Sequence, residues 1–445
     1  MVASLVLFTS WQKRLTVPQA QASNNTHVED SNVNSLPSDI IGFGDGMSKS
    51  SVDTRKAVKE DEQKRQGFSS PLNPGRVQQD LASLSGSFSL RRRFLMWDHA
   101  NETLMSTIGR DHVTAPEKYL IYRCDMERMS FCGGWADRVK GALLTYVIAN
   151  LTGRVFKVEM LKPPCNLLRY VAPNLVNWSL PVSFYENVSK KDSWAISKVD
   201  SVRFLASIHR TNFTEMIEEK GAKYTYFKAN LDYSEGLRKS ELYSSQLSWM
   251  ANLSNAQILS TLYKRVFQLS KALKQRIGVF IQRTLPTARH RLVCAHVRMG
   301  ANPTTPNDSV VRFHEASLAV IWKFLAKHSK TDEDKIFFMS DSENVVRLAK
   351  AQPFSHRMVD TGGPINHIDR SSSLNTEDRC AGLEKLLFDQ HVLMQCDVLL
   401  ISLSGVSRMA AYIRDSDDGL YCLLKKGNIV PCKPGNIRKL YRIMG

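Results

Sequence analysis

The stretch Arg291-Leu-Val-Cys-Ala-His-Val-Arg-Met-Gly300 constrains this chain most, because its apolar run Leu292 to Ala295 carries no charge and then breaks off into cationic groups. A short uncharged run is expected of a central strand in a parallel sheet, buried on both faces. In open α/β sheets ligands sit beyond the carboxyl ends of such strands. His296 and Arg298 fall at that end. Side chains two apart on a strand share a face, so the pair can address one ligand, and an arginine fork matches a phosphate or a carboxylate. A strand-end ion pair beside a core histidine is the plainer alternative.

With 445 residues and 43% hydrophobic composition, the chain is long enough for two or three domains with cores of their own. The net charge is +17, and the first 95 residues hold 12 Lys and Arg against 9 Asp and Glu, so the excess belongs to the remainder. Such a field favours anionic ligands, among them nucleotides, nucleic acid and acidic glycans. Of the eight cysteines, Cys124/Cys132 and Cys422/Cys432 are close enough to close small loops, and none forms a Cys-x-x-Cys zinc pattern. Asn-x-Ser/Thr sequons stand at Asn24, Asn101, Asn150, Asn177, Asn187, Asn212, Asn252 and Asn307. With paired cysteines they argue for the lumen of the secretory pathway, Golgi or endoplasmic reticulum. Asn150 is expected in a packed helix, where it would stay unmodified. Val2 to Trp11 is too short to span a membrane, which takes about 20 apolar residues. Membrane attachment would therefore need a missing or truncated N-terminal anchor.

Residues 1–95 are rich in Ser, Asn, Gln and Lys without sustained periodicity and read as a disordered stem, with Arg91-Arg92-Arg93 a processing site, a phosphate clamp or, as is commoner for such runs, simply solvated. Two domains are expected beyond it, 96–280 and 281–445. In the first, Tyr119 to Cys124 reads as a strand, Gly133-Gly134 opens a helix that stops at Gly153, and Val155 to Met160 is the next strand. A double glycine there lets backbone N–H groups approach an anion at a helix N-terminus, or simply makes a tight turn. Asp137 and Arg138 fall in the first helical turn, able to bind a ligand or to cap the helix and pair with each other. Residues 161–250 promise shorter elements. From Ser254 a capping pattern leads into one long amphipathic helix through Ile258, Leu262, Val266, Leu269, Leu273, Ile277 and Phe280. Beyond the opening strand, helices are expected over about 313–327, 343–351 and 376–395, strands over 335–340, 356–360 and 397–402, and a last helix after Ser404-Gly405. That alternation is a doubly wound parallel sheet.

Three strands of this half thus end in polar clusters: His296/Arg298, Ser340-Asp341-Ser342, and Ser402/Ser404-Gly405. Parallel strands align their carboxyl ends, so these groups can converge on one nucleotide. The arginine would answer phosphate charge, a carboxylate would accept from ribose or base, and a Ser-Gly turn would donate to phosphate oxygens.

Gly133-Gly134-Trp-Ala-Asp137-Arg138, His296-Val-Arg298, Phe338-Met-Ser-Asp341 and Ser404-Gly-Val-Ser407-Arg408 resemble the scattered motifs of α1,2-, α1,6- and protein O-fucosyltransferases, over roughly residues 120–425. The resemblance implies two Rossmann-like α/β domains facing each other, the GT-B arrangement, with the acceptor toward the first and GDP-fucose mainly on the second. It implies inverting transfer to a glycan or glycoprotein acceptor without a metal cofactor. Carried onto this chain, Arg298 would neutralise the diphosphate, His296 would help orient the nucleotide, and Asp341 would hold guanine or ribose. Ser404 and the Gly405 N–H would bind phosphate, Gly134 with its turn would reach the same diphosphate from the other domain, and Gly133, Arg138, Ser342, Ser402 and Ser407 are expected among the substrate-binding residues.

Relatives show a second arginine and an acidic residue just after Arg298, where this chain has Met299, Gly300 and Ala301. The general base is therefore sought at Asp308, Glu315 or Asp137. Asp415-Ser-Asp417-Asp418 has the carboxylate spacing of a manganese site but follows a helix in a polar turn, so no metal is expected. Nucleic acid is not expected as a partner, since no aromatics interleave with the basic residues in a recognised motif. A transferase using another nucleotide-sugar, or a secreted basic glycan binder without turnover, are the competing readings.

Overall fold

The computed structural model describes residues 118–125 and 132–443, apart from 182, 185–187, 197–201, 309 and 370–372. The stem, the Arg91–Arg93 run and the sequons at Asn24, Asn101 and Asn187 lie outside the described residues.

In the first half, β1 (Tyr119–Cys124) runs into the Gly133-Gly134 turn and α1 (Trp135–Leu151), and the chain returns through β2 (Val155–Met160). Gly133 has φ +75°, a left-handed conformation that favours glycine. β3 (Val171–Pro173), β4 (Ser193–Ile196) and β5 (Tyr224–Phe227) follow. The sheet order is β2-β1-β5-β4, all parallel, so the order reverses between β1 and β5. All four residues of β5 are buried. Its Tyr-Thr-Tyr-Phe sequence carries no alternation, and sequence reading left it inside an irregular region.

The long helix expected from Ser254 to Phe280 is two helices. α2 (Asn255–Val266) ends where β6 (Phe267–Leu269) turns extended to pair antiparallel with β3, and Ser270 starts α3 (Lys271–Thr284) by accepting from the Leu273 N–H at 3.2 Å. The apolar rhythm continues across the break because both helices and β6 bury their side chains in one core. Periodicity alone therefore could not see the interruption.

The second half contains β7 (Arg291–Val297), α4 (Leu318–His328), β8 (Asp334–Ser340), α5 (Glu343–Lys350), β9 (Met358–Val359), α6 (Thr376–Leu393), β10 (Val398–Ile401), α7 (Gly405–Arg414), β11 (Leu420–Leu423) and β12 (Ile429–Pro431). The order β12-β11-β10-β7-β8-β9 is parallel except for β12 and reverses between β7 and β10. β7 is central and buried on both faces: Leu292 and Cys294 join one apolar cluster, Val293, Ala295 and Val297 another. The first cluster also takes Leu120 and Tyr122 of β1 and Leu399 and Ile401 of β10, so the two sheets share a continuous core.

All eight cysteines are paired, as Cys124–Cys132, Cys165–Cys380, Cys294–Cys396 and Cys422–Cys432. Cys165–Cys380 joins the first half to the start of α6. No described helix is long and apolar enough to cross a membrane. Asn150, expected in a packed environment, sits exposed in the last turn of α1, and Asn177, Asn212, Asn252 and Asn307 are exposed as well.

α1 reaches the sheet closely at Gly141, where an added Cβ would stand 1.6 Å from the Ala229 carbonyl oxygen and 2.7 Å from the Tyr122 ring. The obstacle is backbone, which cannot rotate away. Gly141→Ala is expected to cost at least the 1–3 kcal/mol typical of overpacking, about the upper end, read as a lowered calorimetric melting temperature.

Candidate functional site

A cleft of about 250 Å³ opens where the carboxyl ends of β7, β8 and β10 meet the N-terminal turn of α1. Of the residues singled out from sequence, Gly134, Asp137, His296, Arg298, Asp341, Ser404 and Gly405 line it. Both sheets contribute at their order reversals, the places where open α/β sheets bind ligands. The walls meet closely, since a Cβ on Gly405 would stand 2.8 Å from that of Ala136.

The β7 end is organised by Asp341. Its carboxylate accepts the N–H groups of Met299 (2.7 Å) and Gly300 (3.0 Å) and pairs with Arg298 Nη1 at 3.0 Å. Arg298 Nη2 pairs with Asp308, and its backbone N–H donates to Ser402 Oγ at 3.0 Å. The loop after β7 is thereby folded back, with Gly300 bridged to Val311. Arg298 lines the cleft with its charge already matched by two carboxylates, and its side chain is 14% exposed. Asp341, expected to hold guanine or ribose, has its oxygens engaged by this loop.

His296 is 3% exposed, and burial, helped by Arg298, pushes its pKa down to about 3, so the ring is neutral at physiological pH. Its Nδ1 is buried without a hydrogen-bond partner among the described residues. A buried ring nitrogen without a partner carries a desolvation cost that the described residues do not offset.

Several expected site residues lie outside the cleft lining. Arg138 is wholly buried: its Nε donates to the Gly133 carbonyl (2.9 Å), Nη1 to the Lys162 carbonyl, and Nη2 pairs with Asp369 Oδ1 at 2.5 Å. Burial pushes the Asp369 carboxyl up, against the pull of Arg138. Arg138 therefore joins the β1–α1 turn to the loop before α6 instead of facing a ligand, and Gly133 serves that turn. Ser342 caps α5, accepting from the Val345 N–H, because a serine at this position satisfies an otherwise orphan helix donor. Ser402 is buried under Arg298, and Ser407 is wholly buried in α7 and is not among the lining residues.

Among the three carboxylates considered as a base, Asp137 alone lines the cleft. Its side chain is 38% exposed, it pairs with Lys140 at 3.0 Å, and it accepts the Gly134 N–H at 3.2 Å. Asp308 is consumed by Arg298, and Glu315 accepts from Asn344 outside the lining. Asp415 caps α7 in a left-handed conformation and Asp417 pairs with Lys433. Among the described residues no group of three or more acidic, His or Cys side chains could hold a metal ion.

Sequence reading missed Arg312, His367, Lys385 and Asp389 in the lining. Asp389, 3% exposed on α6, pairs with Lys385 at 3.0 Å and accepts from Thr361 Oγ1; burial pushes its pKa up to about 6. The only signal was an i,i+4 Lys–Asp pair, which usually marks a solvated helix face. Across the cleft, the Trp135 indole N–H donates to Gln390 Oε1 at 3.0 Å, so α1 and α6 are in direct contact.

No family model matches the chain, and no curated protein sequence matches it. Among solved structures, it is similar to the fucosyltransferase NodZ from Bradyrhizobium, with 15% identity and a TM-score of 0.41, covering 72% of this chain and 99% of that one. It is similar to FUT1 of Arabidopsis thaliana in complex with GDP at 11% identity and a TM-score of 0.45, covering 76% of this chain and 79% of that one. POFUT1 in complex with GDP aligns at 11% identity and a TM-score of 0.37, covering 69% and 97%.

Two outcomes test the site's electrostatics. Arg138→Ala, leaving Asp369 buried without its partner, is expected to cost about 3–5 kcal/mol, with part recovered in Arg138→Ala/Asp369→Ala, measured by denaturant unfolding. Asp389 has a raised pKa in the folded state, so its contribution to stability is fully present below its unfolded value and is lost as pH rises to about 6. Asp389→Asn should therefore gain on the wild type between roughly pH 4 and 6, read as the difference between two melting-temperature profiles.

Proposed function

We propose that the chain is a glycosyltransferase that takes a GDP-sugar, GDP-fucose by the motif resemblance, and transfers the sugar to a glycan or glycoprotein hydroxyl. The observation that carries this reading is the convergence of three strand ends of one sheet and the glycine turn of the other on a single cleft. In that reading the nucleotide lies across the ends of β7, β8 and β10. The Ser404-Gly405 turn suits the phosphates: α7 has no acid in its first turn and Ser404 makes no cap bond, leaving N–H donors and the positive end of the helix dipole for an anion. The neutral His296 ring and the Asp389 carboxylate offer hydrogen-bonding groups of the sort that a guanine or ribose requires.

The reaction is a displacement at the sugar C1. The acceptor oxygen forms the new bond as the bond to the β-phosphate oxygen breaks, and the electron pair leaves with GDP. Direct attack from the opposite side inverts the anomeric centre. Charge grows on the departing diphosphate, where preorganised cations and N–H donors in the cleft lower the barrier. Losing one well-placed donor typically costs about 2.7–4 kcal/mol. The acceptor proton passes to a base, and Asp137, at the cleft on the other half, is the carboxylate suited to take it.

Residence in the secretory lumen is supported by the exposure of the five described sequon asparagines and by the pairing of every cysteine. The basic charge is compatible with an acidic glycan as acceptor, though it does not select one.

Ligand-dependent melting tests the donor. GDP at 100 times its Kd is expected to stabilise the fold by about 2.7 kcal/mol, with no comparable shift from UDP. A UDP shift without a GDP shift would replace the donor. Release of GDP from GDP-fucose on adding acceptor glycans should persist in EDTA, and loss of turnover on chelation would refute metal-independent transfer.

A further inference from the structure

The Lys and Arg side chains that line the cleft differ in what they already hold. Arg298 is braced by Asp341 and Asp308, Lys385 pairs with Asp389 and donates to Thr361 Oγ1 at 2.9 Å, and Arg408 bonds the Ser404 carbonyl at 3.2 Å and the Tyr412 hydroxyl. Arg312 is exposed on the loop after β7, and its guanidinium makes no hydrogen bond or ion pair among the described residues. Its backbone is nonetheless fixed. The Arg312 N–H donates to the Met299 carbonyl at 2.7 Å, the Ala301 N–H donates to the Val310 carbonyl at 3.0 Å, and Val311 bridges Gly300. Thr304 Oγ1 accepts from the Glu343 N–H at 2.9 Å, which ties the same loop to the start of α5. A pinned backbone thus presents an uncommitted guanidinium at the cleft.

The two faces of the second sheet separate Arg312 from the nucleotide groups. Side chains of α6 and α7 join the apolar cluster that Leu292 and Cys294 of β7 also join, and His296 and Arg298 alternate onto that same face. Phe313, next to Arg312, belongs to the cluster on the other face, with Leu318 and Ile321 of α4. Arg312 therefore reaches the cleft from across the sheet edge, opposite the turn suited to the phosphates. Val310 and Arg312 flank Val311 in the bridged segment, so their side chains share a side, and Val310 is 51% exposed. A pyranose that carries a carboxylate or a sulfate would lay its apolar C–H face on such a valine and its anion in the arginine fork. We propose that Arg312 is a specificity-determining residue that selects an acceptor glycan with an anionic substituent, a uronate carboxylate or a sulfate ester, beside the reacting hydroxyl. This rests on the glycosyltransferase reading above and names the class of acceptor for the same cleft.

Calorimetric titration of the full chain, first with GDP and then, with GDP present, with four probes tests this: tetragalacturonate, its neutral methyl ester, galactotetraose and a sulfated galactotetraose. Wild type should bind at least one acidic probe about 10-fold or more tighter than its neutral counterpart, the scale of a charge-assisted hydrogen bond. Preference for tetragalacturonate assigns the fork to a carboxylate, and preference for the sulfated probe assigns it to a sulfate ester. Arg312→Gln should erase that discrimination while GDP and the neutral probes stay within about 2-fold of wild type, since none of them uses the contact removed. Wild type that binds acidic and neutral probes alike, or none of the four, overturns the proposal, as does discrimination that survives in Arg312→Gln. Equal loss in Arg283→Gln, which removes an exposed charge outside the cleft lining, also overturns it, because the preference would then belong to the overall field. So does a parallel fall in GDP affinity, which would give Arg312 to the donor, or tighter binding of a polyglutamate peptide than of either acidic glycan. Wild type that fails to bind GDP overturns the nucleotide reading instead. If Arg312→Gln does not fold, Arg312→Lys carries the test: it keeps the charge without the fork, so acidic-probe affinity should fall severalfold, and unaltered affinity overturns the proposal.

Discussion

The buried Arg138–Asp369 ion pair is the contact on which the cleft depends. A guanidinium taken wholly out of water is tolerable only if its donors find acceptors, and here they reach the Gly133 carbonyl, the Lys162 carbonyl and the Asp369 carboxylate. Those three partners belong to the turn after β1, the segment after β2, and the loop before α6. Satisfying one charge therefore positions three pieces of backbone, two from the first half and one from the second. The Trp135–Gln390 hydrogen bond and the Cys165–Cys380 disulfide bind the same halves, and the apolar cluster runs through both sheets. The cleft is accordingly a notch in one packed body, with walls held by burial as much as by loops.

Within that notch, charge is arranged with economy. Asp341 is an anchor for backbone: two N–H groups and one arginine converge on it, turning the loop after β7 back over the strand end. His296 is kept neutral by burial beside Arg298, which makes it a hydrogen-bonding group instead of a cation. Lys385 and Asp389 balance each other on α6. What remains for an anionic ligand at the end of β10 is the N-terminal turn of α7, where Ser404 makes no cap bond and no acid stands in the first turn.

Much of this fold is legible in the sequence. β1 and β2 were readable to the residue because short segments rich in aromatic and β-branched residues flank a helix bounded by glycines, and β7 was readable as a central strand because Leu292 to Ala295 carries no charge. The convergence of His296, Arg298, Asp341, Ser404 and Gly405 followed from the parallel order alone. Elsewhere the local signal was ambiguous. β5 has no alternation because both of its faces are buried, and the α2–β6–α3 segment kept a helical rhythm through a strand because a single core receives all three elements. Asp389 looked like half of an ordinary helix-surface pair until packing buried it to 3% exposure.

Sequence by itself determined the alternation of strands and helices, the direction of the sheet, and hence which strand ends could share a ligand, because these rest on local periodicity and chain connectivity. It also named Arg138 and Arg298 as important. Only the tertiary structure decided what they do. A charge's role depends on which partners reach it through space, and those partners lie far off in sequence: Asp369 for Arg138, Asp341 and Asp308 for Arg298. No one-dimensional pattern records which carboxylate a cation will meet once the chain has folded.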